Sequence, residues 1–560
     1  MVVLKLLLNI LYGILIFYYN LYMLFKNKNK IKKQKRKNLS HHNYASPWYE
    51  RVIFKFKNLS FIKHILIFYL FITFIGSGIL MLPFSHNGSI NYVDALFTSA
   101  SAFSDTGLVT LQTSSTWTMF GQAVIAILIL VGGIGWFALK IFLFNILFGR
   151  SISLTSRAAL SAERGNVRIG ETRQLIKVSV IAIFTMMTIA GLILSLYFFY
   201  ANSFFVGVVG PNGSDMGMNP HGDWALSIRY GVFHSISAIN NAGFDIMGGH
   251  SIAPYFSDYF VQVIFILLFV FGGIGYPVIY DVWQYFVAKR KGERFRFSLF
   301  TKISCVTYLT ISIVGIAITF LIEVTAKSTP NNPSFWSSTE LLFDGQRSGM
   351  GQKMTTSNKV MAIIFNTLST RNAGFGTVNF HHFTSATLIV HSCMMFIGSA
   401  PSSTAGGIRT TTFAIVVMAF WAKIRGKSSV RAFNRRIAPD TVWNAYVVTT
   451  MSIIMVIGVT LVATTSFNTH GGDIPFGANY KNQLDAQYDF TDLFFEVSSA
   501  FGTTGLSTGL TSKLNVASKI TLILVMFIGQ LGVSSTIFAF GNKKQRSRHY
   551  KYIEEDITIG

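Results

Sequence analysis

Charge is scarce in this chain and lopsided where it occurs. Asp, Glu, Lys and Arg make up 12% of the residues, against roughly 25% in an ordinary soluble domain. Among them Lys and Arg outnumber Asp and Glu by 47 to 23, a formal net charge of +24. Cysteine is nearly absent. Cys305 and Cys393 both fall inside apolar runs without metal-ligand spacing, which excludes a disulfide framework and a thiolate metal centre. Catalytic constellations are missing too. No HExxH, Walker loop or Ser-His-Asp grouping stands out, so an enzyme is not expected.

What fills the chain instead is apolar sequence, 51% of it. Runs of membrane-spanning length recur at 62–84, 122–148, 178–199, 260–280, 303–322, 386–421, 445–464 and 517–540. About 20 apolar residues cross a bilayer as a helix, so the chain reads as an all-α polytopic membrane protein. The basic residues sit between these runs. Intervals 26–63, 149–177, 289–302, 423–440 and 543–551 hold 35 of the 47 Lys and Arg, and the alternate intervals hold most of the acids. Basic loops stay cytoplasmic. The net charge therefore reports topology in a lipid bilayer, and its dispersal argues against a nucleic-acid partner.

One phrase is written four times. Residues 101–108 read SAFSDTGL, 237–244 SAINNAGF, 369–375 STRNAGF and 499–506 SAFGTTGL. Their glycines, Gly107, Gly243, Gly374 and Gly505, are 136, 131 and 131 residues apart. A short semi-apolar stretch precedes each phrase: YVDALFTSASAF, LSIRYGVFHSISAI, KVMAIIFNTLST and FTDLFFEVSSAF. At about ten to fourteen residues these have the length of a re-entrant segment rather than a span. Each module then reads span, half-helix, extended glycine phrase, span. Non-helical backbone at membrane depth must be buried in protein or line a wet cavity. Glycine lets backbone approach an ion closely, and four such strands about an axis would offer rings of carbonyl oxygens to a cation. The half-helices would turn their negative C-terminal ends toward it. Taken singly, each glycine reads first as a close-packing site between helices; four in a shared context, each after a short amphipathic stretch, reverse that reading. GGIGW (132–136) and GGIGYP (272–277) look superficially like nucleotide-binding glycines, but they lie within apolar runs rather than between a strand and a helix, so they read as close-packing sites. His234, just before a phrase, reads as a hydrogen-bonded structural residue.

DALFTSASAFSDTGL (94–108), FHSISAINNAGFD (233–245), FNTLSTRNAGF (365–375) and DLFFEVSSAFGTTGLSTGLT (492–511) together resemble the membrane subunit of the Trk/Ktr/HKT superfamily of potassium transporters, most of all its Ktr type. The resemblance covers roughly 59–541. It implies four M1–P–M2 repeats, that is eight core transmembrane helices and four re-entrant pore helices around a pseudo-fourfold pore. The divisions expected are 1–58, an extra N-terminal apolar helix and basic cytoplasmic segment; 59–150, 170–290, 296–424 and 438–541, the repeats; and 542–560, a cytoplasmic tail. Residues 2–25 read either as an additional span or as a helix on the inner surface, and the Ktr pattern has no counterpart for them.

The resemblance also implies function. It implies K+ uptake across the plasma membrane, with the filters facing outside and the basic loops and C-terminus cytoplasmic. The selectivity filter would comprise Asp105, Thr106 and Gly107; Asn241, Ala242 and Gly243; Asn372, Ala373 and Gly374; and Thr503, Thr504 and Gly505, with K+ as the ion held there. The shorter third copy, with Arg371 three before its glycine, is family-like. In plant relatives a serine at the first filter glycine goes with sodium transport, and glycine stands there in this chain. A sodium-coupled or sodium-permeable symporter of the same fold is the alternative; a membrane enzyme or organic-solute transporter is a remote one. The stretch 398–410, GSAPSSTAGGIRT, interrupts a run otherwise long enough for one very long span, and the resemblance identifies it with the family's intramembrane gating loop. Its residues are Gly398, Pro401, Ser402, Ser403, Thr404, Gly406, Gly407 and Arg409. Two positions depart from the family pattern: Asp105, usually apolar, and Gln530, where an Arg is usual. The chain itself is expected to bind no cofactor. A homodimer and a separate cytoplasmic ring subunit, which would carry any nucleotide, are the implied partners.

Overall fold

The computed structural model describes residues 61–134, 172–202, 218–248, 251–327, 334–338, 354–467, 488–534 and 536. Apart from a two-stranded hairpin the described chain is helical. Its principal helices are α1 (Phe61–Leu80), α2 (Tyr92–Phe103), α3 (Met119–Ile134), α4 (Thr172–Tyr200), α5 (Trp224–Ile239), α6 (Tyr259–Gly273) and α7 (Tyr276–Lys291). They continue with α8 (Leu299–Thr325), α9 (Thr356–Ser369), α10 (Ser385–Phe396), α11 (Thr410–Ile424), α12 (Pro439–Ala463), α13 (Phe490–Gly502) and α14 (Val516–Leu531). The hairpin pairs Arg431–Ala432 with Arg435–Arg436 through a turn at Phe433 and Asn434, both at positive φ, and joins α11 to α12.

Among the described residues three helices are long and apolar enough to cross a bilayer: Gln174–Tyr200, Leu299–Thr325 and Pro439–Ser466, of 27, 27 and 28 residues. At 1.5 Å per residue each reaches about 40 Å, beyond the roughly 30 Å hydrocarbon core. Large apolar side chains cover their outer faces, including Leu192 on α4, Ile313 and Leu321 on α8, and Leu461 on α12, all more than 60% exposed. An exposed stripe of this kind suits lipid rather than water. The expected apolar run 260–280 is not one straight span. It breaks into α6 and α7, which are bent by 97°. The cause is local: Gly275 adopts φ +86°, and Pro277 follows within the first turn of α7, where its missing N–H costs no helical bond. The run 386–421 also divides, into α10 and α11. The expected N-terminal helix within 1–58, the second half of the run 122–148 and the tail 542–560 lie outside the described residues.

The short helices α2, α5, α9 and α13 occupy the centre. Each packs on the helix that precedes it: α2 on α1, α5 on α4, α9 on α8 and α13 on α12. Each also meets the helix that follows the preceding short one. Thus α3 packs on α5, α6 on α9, α10 on α13, and α14 returns to α2. The contacts close a ring in chain order. Several acids of the connections between helices cap the helices that follow them. Asp223 and Asp258 accept from the first free amides of α5 and α6, and Asp489 and Asp492 form a reciprocal capping box on α13.

Candidate functional site

Three of the four short helices end in the same way. Asp105 N donates to Ala102 O and Thr106 N to Ser101 O; the second and fourth copies repeat the pair with Asn241 to Ala238 and Ala242 to Ser237, and with Thr503 to Ala500 and Thr504 to Ser499. These are the paired bonds of a helix end that turns through the left-handed region. The turning residues are Asp105, Asn241, Asn372 and Thr503, at φ +48°, +57°, +70° and +50°. Asp and Asn tolerate that conformation, whereas a β-branched Thr is strained in it. The third copy, one residue shorter, closes with Ala373 N on Ser369 O instead.

The glycine two positions on is also at positive φ in every copy: +87° at Gly107, +66° at Gly243, +79° at Gly374 and +91° at Gly505. The four meet in one place. A Cβ on Gly107 would lie 2.4 Å from Ala242 O; on Gly243, 2.8 Å from Gly374 Cα; on Gly374, 2.2 Å from Thr504 O; on Gly505, 2.2 Å from Thr106 O. The contacts run first to second, second to third, third to fourth and fourth to first. Only backbone without side chains permits that approach. Thr106, Ala242, Ala373 and Thr504 are buried within the cluster. The structure thus brings all twelve sequence-selected phrase residues to one site, with the turning residues as the bracket beneath rather than as part of the glycine contact.

A second ring supports the first. Gly132, Gly272 and Gly529 press on the last carbonyls of their own short helices: an added Cβ would lie 2.0 to 2.1 Å from Phe103 O, Ile239 O and Phe501 O. The next positions reach onward around the ring. Gly133 abuts the Asn240 side chain and Gly273 abuts Ser399. Gln530, standing in the corresponding place of the fourth copy, donates through Nε2 to Phe103 O and Asp105 Oδ2, both at 3.3 Å. The glycine pairs are therefore packing sites, as expected, and the two family departures, Asp105 and Gln530, contact each other.

The stretch 398–410 is folded into this assembly. Its base is closed by Ile408 N on Phe396 O and Thr410 N on Ser399 O, both 3.1 Å. Its far end meets the break between α6 and α7: Ala400 N donates to Gly273 O, and Tyr276 N donates to Ser402 O. Pro401 O would meet a Cβ on Gly275 at 2.7 Å, so glycine serves there for both conformation and space. Ser402, Ser403 and Thr404 are buried, and Gly406 lies against the Thr503 side chain. Arg409 leaves the stretch toward the fourth quarter, donating to Ala405 O and, at 2.8 Å, to Gln530 O.

Arg371 is the side chain that sequence reading named without a role. It is wholly buried, donates to Met394 O at 3.0 Å, to Ile397 O, and to Gly398 O at 2.7 Å, and lies over the Tyr308 ring. A guanidinium here supplies donors to the open C-terminal carbonyls of α10, where a positive charge is also favoured by the helix dipole. Ser399 Oγ answers from the other side, donating to Arg371 O at 3.2 Å. No group of three or more potential metal-ligating His, Cys, Asp or Glu side chains occurs among the described residues. The chemistry on offer is carbonyl oxygen and fixed dipoles.

Comparison with known proteins gives this geometry a family. The TrkH profile, described as a cation transport protein, matches residues 53–550. An uncharacterized cation transporter of Mycoplasma genitalium is 32% identical, over 89% of this chain and 97% of its own. The Ktr system potassium uptake protein D of Bacillus subtilis is 31% identical, over 89% and 96%. Among solved structures, the potassium transporter TrkH of Vibrio parahaemolyticus shares the fold at a TM-score of 0.58, covering 86% of each chain with 15% identity. These matches bear out the resemblance read from the four phrases. The chain belongs to the Trk/Ktr superfamily of membrane cation transporters.

Proposed function

We propose that the chain carries K+ into the cell through the ring formed by Gly107, Gly243, Gly374 and Gly505, each the filter of one M1–P–M2 repeat. The observation that carries this reading is the closed glycine contact, in which four backbone segments approach too closely for any side chain. Rings of backbone carbonyls replace the hydration shell of a cation, and the C-terminal ends of α2, α5, α9 and α13 converge on the same place with negative partial charge. Glycine at every filter position favours K+ over Na+ in this reading. The buried stretch 398–410 serves as the gate below, since it contacts Thr503 on one side and the α6–α7 break on the other. The filters face outside, the basic connections face the cytoplasm, and a cytoplasmic regulatory ring docks there on a homodimer of the chain. Sodium-coupled transport is the alternative.

Expression in a bacterium lacking its own K+ uptake systems, with the regulatory partner supplied, tests the reading. Growth at low external K+ supports it. Inserted, assembled protein that restores no growth and moves no K+ in vesicles overturns it.

A further inference from the structure

The residue that follows a buried phenylalanine near the middle of each short helix differs in all four copies: Phe97-Thr98, Phe233-His234, Phe365-Asn366 and Phe495-Glu496. Each second residue is fully buried. In three copies this side chain reaches past the filter glycine and holds the backbone three residues beyond it. Glu496 accepts from Thr508 N at 2.9 Å and from the hydroxyls of Ser507, at 2.6 Å, and Thr511. Asn366 accepts from Thr377 N at 3.1 Å and donates to Thr377 Oγ1 at 2.9 Å. His234 accepts through Nε2 from Ile246 N at 3.4 Å, the longest of the set, while its Nδ1 pairs with Tyr230 O at 2.7 Å. That pairing gives one tautomer: neutral imidazole with its proton on Nδ1.

The shorter third phrase keeps the arrangement, because Asn366 stands eight residues before its glycine where His234 and Glu496 stand nine before theirs. The first copy lacks it. Thr98 turns back on its own helix, donating to Asp94 O at 2.9 Å. The residue three past Gly107 is Thr110, whose buried hydroxyl has no hydrogen-bond partner among the described residues.

We propose that Glu496, Asn366 and His234 are positioning residues that fix the outer ends of the fourth, third and second filter strands, leaving the first strand as the compliant wall of the ring. This rests on the glycine ring being the filter. The Glu496 carboxyl gathers one backbone amide and the hydroxyls of Ser507 and Thr511 onto one side chain, the densest bracing of the three. Fixing carbonyl positions on three sides sets the size of the cage a cation meets. Releasing a side lets the cage shrink to fit the smaller Na+ ion.

The test uses the full chain in liposomes, with K+ and Na+ fluxes measured under separate gradients for Glu496→Ala, Glu496→Gln, Asn366→Ala, His234→Ala and Thr98→Ala. In E496A the Na+ to K+ flux ratio rises by about tenfold, the factor for a net loss near that of one hydrogen bond. It rises less in E496Q, whose amide oxygen still accepts from Thr508 N. It rises in N366A and H234A and stays unchanged in T98A. If E496A does not fold, E496Q and N366A carry the test. A parallel Gly107→Ser variant separates the two claims. Should G107S shift the ratio while the inserted, conducting brace variants do not, the positioning role is overturned and the filter stands. Should G107S and the brace variants all leave the ratio unchanged, both fall. A change in T98A equal to that in N366A would also overturn the proposal, since burial alone would then explain the effect.

Discussion

Replacing Arg371 by Lys keeps the charge but removes the fork, and the structure says what that is worth. The guanidinium serves three carbonyls, Met394 O, Ile397 O and Gly398 O, spread around the end of α10. It also lies 5.2 Å from the Tyr308 ring centroid. A bond from a charged donor contributes about 1.5–3 kcal/mol. A lysine ammonium is a point on a flexible stem and cannot reproduce a planar fork. Losing one or two of the three bonds predicts a destabilisation of about 1.5–6 kcal/mol. Met at this position leaves all three carbonyls without that donor and should cost more. The loss is also directional, because the freed carbonyls mark the start of the 398–410 stretch. Thermal stability of the detergent-solubilised chain, followed by fluorescence on size exclusion, reads the first effect. Cation flux without the regulatory partner reads the second, and it should rise in Arg371→Lys. A Lys variant with wild-type stability and wild-type basal flux would refute the reasoning.

Gly132→Ala should lose about 1–3 kcal/mol of stability by overpacking, since its Cβ would lie 2.0 Å from Phe103 O; Gly458→Ala, with nothing within 4 Å, should be neutral or better in the same melting assay. Deleting residues 400–406 should raise basal cation flux and weaken its dependence on the partner while K+ preference survives, because the base of the stretch is already closed by Ile408 on Phe396 and Thr410 on Ser399. Unchanged flux in the inserted deletion variant would make the stretch a packed kink. Gln530→Arg should still conduct, since the new guanidinium meets Asp105, whose Oδ2 is 3.3 Å from the present amide; the same substitution with Asp105→Ala should block, and equal flux in both would dissociate the two positions.

Much of the ring was legible in the sequence. The four phrases repeat every 131 to 136 residues, and each carries its own local instructions: a short amphipathic stretch, then glycine, with a residue that accepts the left-handed region two places before it in three of the four copies. Those local instructions end α2, α5 and α13 with the same pair of bonds, and α9, one residue shorter, with a different one. The interruption at 398–410 was legible for the same reason, because Pro and paired Gly disfavour a helix interior. The break at Gly275 was not. GGIGYP differs from GGIGW by the proline that follows Gly275, a signal the close likeness of the two glycine runs masks, and the carbonyls of Pro401 and Ser402, far away in sequence, meet the turn between α6 and α7. The contact of Gln530 with Asp105 spans 425 residues and could be found only as two unusual residues. The braces were hidden differently. Thr, His, Asn and Glu share no chemistry by which a repeat would be noticed, although the phenylalanine before each one marks the position.

The central claim is that four glycine backbones form the cation filter. Reversal potentials of the full chain in liposomes, with K+ and Na+ gradients varied separately, test it most directly when wild type is compared with Gly107→Ser. The added side chain would enter a space where a Cβ already lies 2.4 Å from Ala242 O, at φ +87°. The neighbouring backbone must therefore move, and the carbonyl spacing with it. The account predicts a wild-type reversal potential that follows the K+ gradient and a variant potential that moves toward the Na+ gradient, with a larger change in selectivity than in total flux. A G107S protein that conducts with the wild-type reversal potential under every gradient would contradict it.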